Sequence, residues 1–329
     1  MGGGGRFSNF LLQRTIISIA IVFAISLLIF LIVQLIPGDA VDILLGGISE
    51  QSLGHETIKE LRSQFGLDLP LHIQYLNWIT GVIRGDLGTS LVFKRPIAPI
   101  VFNRLKASLV LALPAGLIIV VFGLSFGVLG AVRENKLLDH FLTVSSLGAI
   151  SIPSFVIGSI FIYIFAVKLR WIPVAFNSFD YSEFSFWKKL TFFFSALIFP
   201  SLTLAFQTVA HIARHTRASM IKELKTKYFR TAILKGVPRK RAILKHALRN
   251  ALLPAVTVLA IQAGYIIGGV VIVEIIFSYP GIGNLALMAI KYRDVPLILS
   301  TMLVVSSGYV FANFFADVLY TLLNPRIMY

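Results

Sequence analysis

Six long apolar stretches dominate this sequence and limit what the chain can fold into. Each contains a run without Asp, Glu, Lys or Arg that reaches the roughly 20 residues of α-helix needed to cross a bilayer's hydrocarbon core. Because lipid cannot satisfy bare backbone groups, such runs should be helical. The predicted spans are residues 15–38, 105–132, 141–167, 190–210, 252–277 and 295–320. The predicted fold class is an all-α membrane protein with six transmembrane helices.

The composition excludes several other classes of protein. The chain is 57% hydrophobic and 14% charged, whereas an ordinary soluble domain is about 25% charged. It has too few ionisable groups to cover a water-facing globule. It also contains no cysteine, which excludes disulfides, thiolate metal sites and iron–sulfur clusters.

The distribution of basic residues predicts the orientation in the membrane. Twelve of the Lys and Arg residues lie within 211–251, where Glu223 is the only acid. Cytoplasmic loops carry an excess of Lys and Arg, so this segment is predicted to be cytoplasmic. Six spans then place both termini, 1–14 and 321–329, in the cytoplasm. The predicted outer segments are 39–104, interpreted as a small helical subdomain, and the loops 168–189 and 278–294.

The basic segment 211–251 shows a pattern of helix, tight turn and helix. In 218–235, the less polar residues recur at helical spacing: Ile221, Leu224, Tyr228 and Ala232. Gly236 can adopt the left-handed conformation that ends a helix, and Pro238 prevents its continuation. A second helical stripe, Leu244, Leu248 and Leu252, leads to Pro254 at the start of the fifth span.

Three interpretations of this segment compete. It is a solvated loop that only sets topology, a nucleic-acid-binding helix-turn-helix, or a docking element for a cytoplasmic partner. The nucleic-acid interpretation is disfavoured because a loop held at both ends against the bilayer has little freedom to enter a groove. A short amphipathic helix with a defined end favours docking in a partner's groove.

The sequence lacks the motifs of an enzyme. There is no phosphate-binding G-x-x-x-x-G-K-[ST], so no ATPase site is predicted in this chain. His211 and His215 stand four apart without the glutamate of H-E-x-x-H, which disfavours a metal site. Gly123 and Gly127 match the letters of G-x-S-x-G inside an apolar stretch, where close helix packing is the better interpretation, as for Gly264 and Gly268. Two uncharged polar residues lie deeper in the spans, for interhelical hydrogen bonds or for lining a path: Gln262 and Asn313.

Several motifs resemble the membrane subunits of bacterial ABC importers of the dipeptide/oligopeptide/nickel permease family. The basic segment is similar to that family's cytoplasmic EAA loop, with Arg230-Thr231-Ala232 in place of the element that begins with glutamate. The matching runs are Tyr228-Phe229-Arg230-Thr231-Ala232 with Lys235-Gly236, the run from His246 to Pro254, the run from Glu274 to Gly283, Pro37-Gly38-Asp39, and Gly85-Asp86-Leu87-Gly88. The long outer segment resembles that of the first permease of the pair.

The resemblance implies partners and roles. A homologous second permease would complete the path in a bacterial or archaeal inner membrane, with two cytoplasmic ATPase subunits holding ATP and Mg²⁺ and an extracytoplasmic solute-binding protein. It implies membrane lipid as surroundings, no nucleic acid, and no cofactor in this chain. The implied ATPase-coupling residues are Tyr228, Phe229, Arg230, Thr231, Ala232, Lys235, Gly236 and Pro254. Dipeptides or oligopeptides are the expected cargo. Nickel or another small solute is the alternative, and a passive channel or membrane scaffold is the rival class.

Overall fold

The computed structural model describes residues 3–35, 68–172 and 186–323, and every regular element within these ranges is a helix. The α-helices are α1 (Gly3–Gln34), α2 (Leu71–Ile83), α3 (Ile97–Val132), α4 (Leu137–Ser151), α5 (Ser154–Phe161), α6 (Phe186–Leu224), α7 (Lys227–Leu234), α8 (Arg239–Ala242), α9 (Leu248–Ile276), α10 (Ile282–Lys291) and α11 (Val295–Leu323). Two π-helical turns, Ile162–Lys168 and Ile243–Ala247, continue α5 and join α8 to α9.

The apolar stretches form helices of membrane-crossing length. Four described helical segments are long and apolar enough to span a bilayer, and a bent pair makes a fifth if it counts as one crossing. These segments are Ser8–Gln34, Ile97–Val132, Arg239–Leu259 and Val295–Val318, with Leu137–Ser151 and Ser154–Lys168 as the bent pair. The all-α membrane class is thereby confirmed. In the stretch 190–210, which lies within α6, side chains are described only from Leu197 onward, so the count of six stays a prediction.

The third stretch, 141–167, is not one uninterrupted helix, so that expectation is wrong. The chain bends by 98° between Leu137–Ser151 and Ser154–Lys168. Pro153 causes the break, since it has no backbone N–H and disfavours helical geometry in the residue before it. Gln207 of α6 donates a hydrogen bond from its Nε2 to the carbonyl oxygen of Ile152 at 2.7 Å, which satisfies a group that the break leaves open.

Other predicted boundaries also differ from the helix ends. α6 continues without a break through residues 210 and 211, and α3 begins at Ile97 within the predicted outer segment. The predicted loop 278–294 contains α10. Within 39–104, α2 is helical, while the amphipathic run predicted near Glu56–Phe65 lies outside the described residues. Which segments face which side of the membrane stays a prediction.

The chain divides into two compact units. One comprises Met1–Thr15, Ser108–Tyr279 and Phe311–Tyr329, and the other Ile16–Ala107 and Pro280–Val310. In the second unit, Tyr75 of α2 packs edge-on against Phe30 of α1 with ring centroids 5.4 Å apart, and its hydroxyl lies 2.8 Å from the Ser26 hydroxyl. The buried Asp294 carboxylate accepts a hydrogen bond from the Leu297 N–H at 3.2 Å, so it caps the beginning of α11.

Two glycines let α3 and α6 approach closely in the first unit. A Cβ added at Gly123 would stand 2.8 Å from side-chain atoms of Ile212, and one at Gly127 would stand 2.5 Å from the Thr216 Cβ. The predicted packing role of this pair is confirmed. A Cβ at Gly268 would meet nothing within 4 Å of the described structure, so a packing role for Gly268 stays a prediction, whereas a Cβ at Gly269 would stand 2.9 Å from Leu204. The surroundings of Gly264 lie outside the described side chains.

Candidate functional site

The basic segment 211–251 folds as three helical pieces. α6 ends at Leu224, α7 spans Lys227–Leu234, and a continuous helical stretch from Arg239 runs on through α9. The single helix predicted over 218–235 is therefore wrong. Thr226 is extended, with φ −72° and ψ 154°, and its hydroxyl donates a 2.6 Å hydrogen bond to the Glu223 carbonyl oxygen. Such local side-chain bonds compete with helix continuation.

Phe229 anchors α7 to the rest of the first unit. The break at Thr226 shifts the helical register, so Phe229 is 8% exposed while Tyr228, from the predicted apolar stripe, is 40% exposed. Phe229 shares one apolar cluster with Met220 of α6 and with Ala242 and Ile243 of the following helical stretch. Burying such a side chain contributes about 1.5–3 kcal/mol. Its buried position leaves the other α7 residues to form any outer surface.

Tyr228 ties three elements together through its hydroxyl group. This group donates a hydrogen bond to the Glu223 carboxylate near the end of α6 and accepts one from Asn250 Nδ2 of α9 at 3.1 Å. Burial, and secondarily the hydrogen bond to Glu223, raises the pKa of Tyr228 above its usual value. The hydroxyl therefore keeps its proton, and its donor role, throughout the neutral range.

The turn after α7 has the form predicted from Gly236 and Pro238. Gly236 has φ +80°. Its N–H donates to the Ile233 carbonyl oxygen at 3.0 Å, and the Val237 N–H donates to the Ala232 carbonyl oxygen at 3.2 Å. These two bonds form a Schellman motif, which satisfies carbonyls left open at a helix end. Pro238 then precedes α8, where its missing N–H costs nothing.

The outward side of α7 combines apolar and basic residues. Leu234 is 79% exposed, and Ile233 is exposed beside it. The remaining exposed members of this helix and its end are Lys227, Tyr228, Arg230, Thr231 and Lys235, while Ala232 is half-buried. An exposed large aliphatic side chain among cations fits a partner with an apolar groove and an acidic rim.

Pro254 lies inside α9 rather than at its beginning. The second helix predicted for the basic segment and the fifth predicted span form one helical stretch, in which the π-helical turn Ile243–Ala247 precedes Pro254. Both features loosen the regular helical ladder. The structure therefore links the turn at Gly236 directly to α9.

Two ion pairs that sequence reasoning missed connect the α3–α4 loop and the first turn of α4 to this segment. Asp139, in the first turn of α4, accepts hydrogen bonds from Arg217 Nε at 2.5 Å and Nη2 at 2.7 Å. Lys225 Nζ lies 2.7 Å from Glu134 Oε1. The sequence did contain a signal for Asp139, because a carboxylate next to an apolar stretch indicates that it has an interaction partner in the fold. Its partner could not be read from the sequence.

Comparisons with known proteins assign the family. Residues 97–329 match the family described as "Binding-protein-dependent transport system inner membrane component", and residues 7–112 match its N-terminal companion family. The chain belongs to this permease family. It is 37% identical over 320 residues to a "Probable peptide ABC transporter permease protein" of Sinorhizobium fredii, covering 97% of this chain and 99% of that protein. It is 35% identical over 322 residues to "Glutathione transport system permease protein GsiC" of Escherichia coli strain K12, covering 98% and 99%.

The permease is thus the membrane component of an ABC importer, as its motifs indicated. The family match includes the whole basic segment and both of its ion pairs. The family description, a component of a binding-protein-dependent transport system, implies that other proteins complete the system.

A cavity of about 660 Å³ lies in the first unit of the permease. Its polar lining comes from α5, α6 and α9: Ser154, Gln207, Thr208, His211, His215 and Gln262. Of the two residues predicted to line a path, Gln262 thus lies at a cavity, whereas Asn313 is half-buried in α11 and is not among its lining residues. Among the described residues, no three His, Cys, Asp or Glu side chains come together as metal ligands.

Proposed function

We propose that this permease forms half of the translocation path of an ATP-driven importer of dipeptides or oligopeptides, with α7 as the helix that receives movement from an ATPase subunit. The observation that carries the proposal is the combination of a rigid attachment and an outward surface on one short helix. Phe229 is buried against the rest of the first unit, the Tyr228 hydroxyl bonds to Glu223 and Asn250, and Leu234 projects from α7 with 79% of its surface exposed.

The proposed contact differs in detail from the set implied by resemblance. Arg230, Thr231, Leu234 and Lys235 form the surface that would enter the partner's groove. Phe229 acts from the inside as the anchor, because its side chain is buried against its own chain. The two ATPase subunits would hold ATP and Mg²⁺, and this chain would supply no catalytic group.

The route from α7 into the membrane follows from the chain path. Movement of α7 would pass through the Gly236 turn into the helical stretch that begins at Arg239, and through Pro254 into α9. Because α9 contributes Gln262 to the cavity, this route connects the ATPase contact with the proposed path. Asn313 of α11 would line another part of that path.

The cavity supports peptides as cargo. None of the described residues that line it is Asp, Glu, Lys or Arg, and its polar lining offers hydroxyl, amide and imidazole groups for hydrogen bonds to a solute. Peptides carry both donors and acceptors along their backbone and suit such a lining. Nickel is disfavoured because no three His, Cys, Asp or Glu side chains come together as metal ligands among the described residues. The relatives named for peptide and glutathione transport agree with this choice.

The proposed topology has six spans, both termini in the cytoplasm and the 39–104 segment outside. The Arg14–Asp317 ion pair supports the placement of both termini on one side, because its 2.8 Å contact brings the early part of α1 beside the late part of α11. A homologous second permease would complete the path in the inner membrane, and a solute-binding protein would deliver cargo from outside.

The test is a charge placed on the α7 surface in the assembled transporter. Leu234→Asp should abolish co-purification of the ATPase subunits and ATP-dependent peptide uptake, because a carboxylate cannot enter an apolar groove without a large desolvation cost. Ile83→Asp is the matched control, since Ile83 of α2 is also 79% exposed, and it should keep the ATPases bound. Normal ATPase binding and uptake in Leu234→Asp would overturn the proposal. Peptide uptake without ATP would indicate a passive channel instead.

A further inference from the structure

We infer that Asp139 and Arg217 are positioning residues whose ion pair carries movement from α7 to the bent pair α4–α5, and so to the wall of the cavity. The inference rests on the proposed role of α7 as the ATPase contact. It adds a second route beside the one through Gly236 and α9. Neither residue belongs to the α7 surface.

The geometry of the pair makes it a firm link. The guanidinium group of Arg217 contacts both carboxylate oxygens of Asp139, at 2.5 and 2.7 Å. The Asn135 N–H donates a third hydrogen bond to the same carboxylate at 2.9 Å. The Asp139 side chain is 2% exposed and that of Arg217 29%. A two-pronged contact of this kind fixes orientation as well as distance, and solvent screens it little.

The surroundings of the pair leave it little room to shift. A Cβ added at Gly130 of α3 would stand 3.3 Å from Asp139 Oδ1 and 3.4 Å from Arg217 Cδ, so the helix backbone closes one side. Asn135 holds φ +63° in the α3–α4 loop, which aims its N–H at the carboxylate. Three elements, α3, α4 and α6, therefore meet at this one carboxylate.

The position of the pair explains why it would transmit movement. Arg217 lies in the last part of α6, just before the Thr226 break and α7. Asp139 lies in the first turn of α4, and the other end of α4 leads to the Pro153 bend. At that bend Ser154 lines the cavity, and Gln207 both lines it and bonds to Ile152. α4 therefore joins the ion pair at one end to the cavity wall at the other.

The second ion pair provides a matched comparison. Lys225 and Glu134 connect the α3–α4 loop, just before α4, to the same segment, but their side chains are 64% and 32% exposed. Exposed pairs hold geometry weakly because water and salt compete for both partners. Removal of the Glu134 charge should therefore leave the transmission of movement from α7 to α4–α5 nearly intact, whereas removal of the Asp139 charge should not.

The experiment measures peptide molecules imported per ATP hydrolysed by the complete transporter in proteoliposomes, with a labelled dipeptide delivered by its solute-binding protein. Asp139→Asn should lower this ratio about fivefold or more, the smallest change typical of a coupling interaction. Basal ATP hydrolysis should stay within about twofold of that of the unaltered complex. Glu134→Gln should keep the ratio.

An unchanged ratio of import to ATP hydrolysis in Asp139→Asn would overturn the inference. In that case uptake and hydrolysis would fall together with the amount of folded complex, and the role of the ion pair would be merely structural. If Asp139→Asn does not assemble, Arg217→Lys gives the same readout, because it keeps the charge and loses the two-pronged contact. A lowered ratio there supports the inference, and an unchanged one overturns it. ATPase subunits should remain bound in these variants and should be lost in Leu234→Asp, so failure of this inference is distinguishable from failure of the proposed function.

Discussion

Gly127 of α3 lies directly against Thr216 of α6, with no space between them for even a methyl group. A Cβ on the glycine would stand 2.5 Å from the Thr216 Cβ and 2.7 Å from the Ala213 carbonyl oxygen. Thr216 is fully buried and precedes Arg217 in the chain. The close packing of α3 and α6 therefore fixes the position of the Arg217 backbone relative to Asp139.

Gly127→Ala should destabilise the permease, because the new methyl group meets the backbone of α6 and cannot be accommodated by a side-chain rotation. Overpacking of this kind costs about 1–3 kcal/mol. Thermal unfolding of the purified protein in detergent measures the change. The control is Gly116→Ala in the same helix, where a Cβ would meet nothing within 4 Å. Equal losses in both variants would contradict the packing argument.

Gly236→Val should impair substrate-stimulated ATP hydrolysis in the assembled transporter. Its φ of +80° is costly for a β-branched residue, although the space around its Cβ position is open. Forcing an L-residue into the left-handed region costs about 1–2 kcal/mol.

Gly236→Asn is the control for that variant, since asparagine tolerates the left-handed conformation. It should retain stimulated hydrolysis, because the cost lies in the backbone angle and not in a steric clash. If valine is tolerated at normal expression, the turn does not hold α7 in place.

Tyr228→Phe should loosen α7 by removing the hydroxyl that joins Glu223 to Asn250. A hydrogen bond of this kind contributes about 0.5–1.5 kcal/mol, and the partial exposure of Tyr228 favours the lower part of that range. The melting temperature of the purified permease measures the loss. Tyr292→Phe, at an exposed position outside this network, is the control.

The stability difference between the unaltered permease and Tyr228→Phe depends on pH through the raised pKa of Tyr228. The protonated phenol is the donor, so its contribution is fully present below the ordinary tyrosine pKa and is lost as the pH rises through the higher folded value. The stability gap between the unaltered permease and Tyr228→Phe should therefore be constant from about pH 7 to pH 9. A gap that closes within this range would show that the hydroxyl does not act as a donor here.

The features that follow from local chemistry could be predicted from the sequence. Apolar runs identify helices of membrane-crossing length because lipid leaves the backbone no alternative, and Gly236 with Pro238 marked the turn after α7. The Gly123 and Gly127 pair also indicated close packing before any partner helix was known.

Features that depend on distant contacts could not be predicted. The apolar stripe of 218–235 continued through Thr226, and only the folded chain shows the hydroxyl bond to Glu223 and the burial of Phe229 in place of Tyr228. Arg217 is one of twelve Lys and Arg residues within 211–251, and the sequence does not indicate which of them meets Asp139. Which of these residues pairs with Asp139 depends on the packing of α3 on α6, and the hydrophobic periodicity of the sequence does not indicate that packing.

The length of α6 gives the permease a mechanical gain. At 1.5 Å per residue, its 39 residues extend for about 58 Å, nearly twice the roughly 30 Å thickness of the hydrocarbon core. A rod of that length that tilts by about 5° around one end displaces the other by about 5 Å. In such a tilt Leu224, at the far end of α6, moves further than Gln207 at the cavity, so the end of α6 beside α7 is where a rocking of this helix has its largest effect.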